Sequence, residues 1–85
     1  MATTLVYSGP VLPTKLYQAT VNGTTAVAIA TGMQSVLMAV VCWATAPSNP
    51  TFLVYVSSVS GGTVNIKCDH DGETTLANVL VFGYL

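Results

Sequence analysis

The stretch AVAIATGMQSVLMAVVCWATA, residues 26–46, carries no charged side chain over twenty-one positions. That length suits a bilayer-spanning helix, with Trp43 near one end as an interfacial anchor. Two features argue for strands instead. Gln34 and Ser35 fall at the midpoint directly after Thr31-Gly32, and no Lys or Arg flanks the run to set an orientation. The composition around it also favours strands: 13 Val, 2 Ile and 12 Thr are β-branched, whereas Glu, Lys, Arg and Gln together number five. The stretch therefore divides at Thr31-Gly32, and Val36–Thr45, apolar on both sides, reads as a central strand covered on both faces. A small membrane protein of the holin type, spanning at 26–46, stays as an alternative to this division.

Working outward, Leu16–Val21 and Thr24–Ala30 flank Asn22-Gly23, the dipeptide that supplies two positive-φ positions to a tight turn. The expectation is a hairpin pairing Val21 with Thr24 and Leu16 with Ile29. The same turn accounts for Asn22-Gly23-Thr24, which otherwise matches a glycosylation acceptor. Downstream, Ala46-Pro47-Ser48-Asn49-Pro50 is a turn and Thr51–Val59 a returning strand. Gly61-Gly62 is the tip of a second hairpin, expected to set Val59/Val64, Ser57/Ile66 and Tyr55/Cys68 on the core face and to leave Lys67 towards water. Asn78–Tyr84 closes the domain. Six to seven short strands at this spacing predict an all-β chain, a small antiparallel β-sandwich or barrel spanning 15–85, with residues 1–14 as an extended, proline-interrupted N-terminal arm.

Eighty-five residues allow one domain and a small core. Charged residues make up 6% and hydrophobic ones 52%, and the mean hydropathy is +0.65, so a lone monomer would present an unusually neutral surface. Lys15 and Lys67 are the only basic side chains and the net charge is −1, which lacks the electrostatic footprint of nucleic-acid binding. The amino terminus has no basic region followed by an apolar run, so synthesis in the cytoplasm without a secretory signal is expected.

Chemistry has few residues to draw on. Asp69, His70, Asp71 and Glu73 fall within five positions and form the one weak candidate for a metal site, since Asp-x-Asp-Gly occurs in calcium loops. The remaining oxygen ligands and flanking helices of such a loop are missing, so a solvated turn is the simpler expectation, with no metal and no cofactor. His70 is the only imidazole base and stands near Cys68, but strand spacing does not make the two face each other, and no nucleophile motif is present. No enzymatic activity is expected. Cys42 and Cys68 read as two buried thiols, and a disulfide would require neighbouring strands with suitable geometry.

The cadence Val59-Ser60-Gly61-Gly62-Thr63-Val64-Asn65-Ile66, an acidic turn, then Val79-Leu80-Val81-Phe82-Gly83-Tyr84 resembles small virion structural proteins of tailed bacteriophages, the capsid decoration or cement proteins and related fibre-head modules. The resemblance covers roughly residues 52–85 and transfers no functional residue. It implies a virion protein on the capsid surface, a homo-oligomer, with a trimer favoured, and the major capsid protein as partner. The shortage of charge independently calls for a buried interface. Interface candidates are Leu5, Val6, Tyr7, Val11 and Leu12 in the arm and Phe82, Tyr84 and Leu85 at the carboxy-terminal strand. The alternative is a tail-fibre or receptor-binding knob, in which the tips at Asn22-Gly23, Gly61-Gly62 and Asp69–Glu73 would meet glycans.

Overall fold

A computed structural model describes residues 13–85 as six strands: β1 (Thr14–Thr20), β2 (Val27–Ala30), β3 (Ser35–Trp43), β4 (Val54–Ser60), β5 (Thr63–Cys68) and β6 (Leu76–Tyr84). They form two antiparallel three-stranded sheets, ordered β1-β6-β3 and β2-β5-β4. The all-β sandwich expected from strand composition is what forms. Residues 26–46 contribute β2 to one sheet and β3 to the other, and no helix among the described residues is long and apolar enough to cross a membrane.

The core lies between the two central strands. Ala77, Val79 and Val81 of β6 face Val64, Ile66 and Cys68 of β5, every one fully buried. Strict alternation puts these six side chains on the inner faces, and burying each Val or Ile is worth about 1.5–3 kcal/mol. Val21, Ile29, Met33 and Val36 close the core around them.

The expected first hairpin does not form. A turn is present, with Thr25 N–H donating to Asn22 O at 3.0 Å and Gly23 at a φ of +54°, but β1 then pairs with β6 and β2 with β5. The reason is parity. Tyr17, Val21, Val27 and Ile29, the bulky apolar residues, are all odd-numbered, and a two-residue turn sets odd positions opposite even ones. A hairpin would expose half of that set, whereas strands sent to opposing sheets turn all four inward. The turn is held from both sides, by Val21 N–H to Thr75 O at 3.0 Å and Cys68 N–H to Gly23 O at 2.8 Å.

The second hairpin forms with Ser60, Val59 and Ser58 opposite Thr63, Val64 and Asn65, as expected. At Ser57 a bulge shifts the register, so Val56 faces Ile66, Val54 faces Cys68 and Tyr55 lies beside Lys67 on the outside. The expected Ser57/Ile66 and Tyr55/Cys68 pairs are thereby replaced. The extra residue keeps two valines in the core where a regular ladder would have placed a serine and a tyrosine.

The hairpin tip docks on the β2–β3 connection. Thr31, 1% exposed, donates N–H (2.9 Å) and Oγ1–H (2.5 Å) to Gly62 O, while Val36 N–H donates to Gly61 O at 2.9 Å. Lys15 Nζ and Tyr17 Oη reach across from β1 to Thr31 O, at 2.6 and 3.0 Å. One buried threonine thus ties both sheets together at this end.

β3 is an edge strand, contrary to the central position expected of it. It pairs only with β6, and a bulge at Leu37 decides which of its two apolar sets points inward. Ala39, Val41 and Trp43 pack on the core, and Trp43 Nε1–H donates to Phe52 O at 3.1 Å. Met38, Val40 and Cys42 are left outside.

Candidate association surface

The acidic loop does not build a metal site: among the described residues no three His, Cys, Asp or Glu side chains are grouped to hold an ion. Each acid is engaged separately. Asp69 Oδ1 accepts from Leu53 N–H at 3.0 Å and lies 2.9 Å from His70 Nδ1, and these two partners, the backbone one foremost, hold its carboxyl below the usual range. Asp71 accepts from the Thr24 hydroxyl. Glu73 is 4% exposed, which corrects the expectation of a solvated turn. Its carboxylate accepts from Ser48 N–H (3.0 Å), Ser48 Oγ–H (2.6 Å) and Thr75 Oγ1–H (2.5 Å), and the Ser48 side chain, then Thr75, lower its pKa. This carboxylate clasps the 45–53 connection to the start of β6.

His70 stacks on Phe52, with ring centroids 4.0 Å apart. Cys68 is buried in the core and its Sγ lies 3.7 Å from Asp69 Oδ1, the same oxygen that His70 Nδ1 meets. Cys42 belongs to the other sheet and is exposed, so the expectation of two buried thiols fails for it, and both cysteines are free. At two of the expected tips one glycine is covered, Gly23 against the acidic turn and Gly62 on Met33, while Asn22, Gly61 and residues 69–72 are exposed.

The two outer faces of the sandwich differ sharply. On β2-β5-β4, Asn65 lies between Ala28 and Ser58 and Lys67 beside Tyr55, a polar surface in which Asn65 Nδ2–H donates to Ser58 Oγ at 3.0 Å. On β1-β6-β3 the outward residues form cross-strand rows: Thr14–Phe82–Met38, Leu16–Leu80–Val40 and Gln18–Asn78–Cys42, continued by Thr20–Leu76. Among the described residues, none in these rows is charged. Leu16 is 66% exposed, Met38 51% and Val40 49%, and Tyr84 extends the patch. With half-buried Leu80 and Phe82, they form one contiguous apolar patch across all three strands.

Of the interface residues named from sequence, Phe82 and Tyr84 lie on the outer row of β6 and Leu85 is exposed just beyond it. Leu5, Val6, Tyr7, Val11 and Leu12 lie outside the described residues, as does most of the expected arm at 1–14. Leu16, Met38, Val40 and Leu76 were not legible as surface residues. Their exposure depends on strand order and on the Leu37 bulge, neither of which leaves a local signature. Comparison with family models, curated proteins and solved structures returns no match.

Proposed function

We propose that the chain is a structural subunit, a capsid decoration protein of the cement type, that works by burying the outer face of β1-β6-β3 in a larger homo-oligomeric assembly on a viral shell. The observation that carries the reading is the contrast between that uncharged apolar face and the polar face opposite. At about 25 cal/mol per Å² of apolar area covered, burying such a face offsets an association cost of about 4–15 kcal/mol. A single contact leaves a modest surplus, and repetition across a lattice of subunits multiplies it. The Thr/Val/Gly cadence over residues 52–85, which resembles that of decoration proteins, fits the same setting, with the major capsid protein beneath.

The test is gradient sedimentation of particles from a culture producing the protein. The chain should band with the particles at near-stoichiometric amounts, and Leu16→Lys should move it to the free fraction while Asn65→Lys, on the polar face, should not. Wild-type chain found wholly in the free fraction would overturn the reading.

A further inference from the structure

Building on the reading of this face as an association surface, we propose that its occupant is a second copy of the same chain, packed face to face about a two-fold axis that brings Asn78 opposite Asn78. Three observations lead there. The face is free of charge, so apposing it to itself brings no like-charge repulsion, and it offers nothing to steer or select a charged partner. Its exposed apolar side chains, Leu16, Met38, Val40 and Tyr84, are spread over all three strands, so apposing two copies covers the patches of both at once. Finally, Asn78 Oδ1 is the one buried side-chain oxygen or nitrogen among the described residues without a hydrogen-bond partner, and Asn78 sits at the centre of a row, between Gln18 and Cys42.

An isologous interface sets a residue against itself wherever the axis passes. A carboxamide carries both donor and acceptor, so two of them meet reciprocally once each amide turns outward, Nδ2–H of one to Oδ1 of the other. Aliphatic residues on either side, Leu80 and Leu76, exclude water from that pair. Sheets stacked in this way pack about 10 Å apart with strands about 30° from parallel. A flat face covered by one copy makes a pair, in place of the trimer that the resemblance to decoration proteins implies.

The test is absolute mass by light scattering on a sizing column, without detergent, for the full chain and three variants. Wild type should run at twice 8.8 kDa. Leu16→Lys and Val40→Lys should run at the monomer mass with unchanged circular dichroism, both sites being about half exposed or more. Asn78→Asp should also be monomeric at neutral pH, because two carboxylates would meet on the axis; if that variant loses its fold, the two lysine variants decide. A thiol reagent provides a second readout: Cys42 should react at least ten times faster in Leu16→Lys than in wild type, with Cys68 slow in both. A monomeric wild type, a trimer, or lysine variants that keep the wild-type mass would overturn the pairing. A wild-type monomer that still bands with particles would sink the pairing alone, whereas a dimer absent from particles would sink the capsid reading alone.

Discussion

Gly61 and Gly62 are neighbours at one hairpin tip, and the fold predicts that replacing each by alanine fails for a different reason and to a different degree. Gly61 has a φ of +57° and open space where a Cβ would go, so alanine there meets only the left-handed backbone penalty, about 1–2 kcal/mol. Gly62 has no such φ, but a Cβ would stand 2.0 Å from Met33 O. Relieving that contact moves the tip away from the β2–β3 connection and breaks the bonds from Thr31 N–H and Oγ1–H to Gly62 O and from Val36 N–H to Gly61 O. Three hydrogen bonds at about 1 kcal/mol each, with part of the burial of Met33, give about 3–5 kcal/mol. Urea titration of both variants is the assay, and the change should appear in the midpoint with little change in slope. For a domain this size the melting temperature should fall by about 4–15 °C for Gly61→Ala and at least ~12 °C for Gly62→Ala. Equal destabilisation, or the reverse order, would refute the claim that close backbone approach holds the tip in place.

Deleting Ser57 removes the bulge but leaves Val56 opposite Ile66, Tyr55 beside Lys67 and Val54 opposite Cys68, so chemical denaturation should show a loss of only about 1 kcal/mol, that of the Ser57 hydroxyl's bond to Asn65 O. Ile66→Ala, at a fully buried site between the sheets, should cost about 2–5 kcal/mol and leave a cavity visible as lost urea stability. The Glu73 carboxyl titrates below its ordinary value of 4.5 in the folded state because Ser48 and Thr75 donate to it. Its contribution to stability is therefore full above that ordinary value and disappears as pH falls through the lowered one. A pH series of thermal melts should show an acid limb that Glu73→Gln flattens, and an unchanged limb in the variant would remove the clasp from the account.

Class and hairpin were legible because they rest on local chemistry: β-branched composition, and Gly61-Gly62 between alternating runs. The failed first hairpin was a matter of parity, with the odd-numbered Tyr17, Val21, Val27 and Ile29 outweighing a favourable turn dipeptide. In β3 the two alternating sets, Met38/Val40/Cys42 and Ala39/Val41/Trp43, are both apolar, so periodicity cannot choose between them and only the bulge at Leu37 does. An uninterrupted apolar strand calls for cover on both sides, but sequence does not say whether the second layer comes from the same chain. Glu73 was misjudged as solvated because its principal donor, Ser48, lies twenty-five positions earlier and meets it only after folding.

The strand order also dictates a timetable. β1 and β3 share no partner except β6, and β2 and β4 none except β5, so each sheet is completed by a strand made after both of its flanks. At ribosomal rates of about 5–20 residues per second, β1 waits roughly 3–11 s between the synthesis of Thr20 and that of Leu76. During that interval β3, nine residues long and uncharged, has no ladder to join and its two apolar faces are open to any nearby strand. Nascent chains are thus sticky before they are folded, and anything that shields β3 early, such as a chaperone, or that shortens the wait for β6 sets the yield of protein able to assemble.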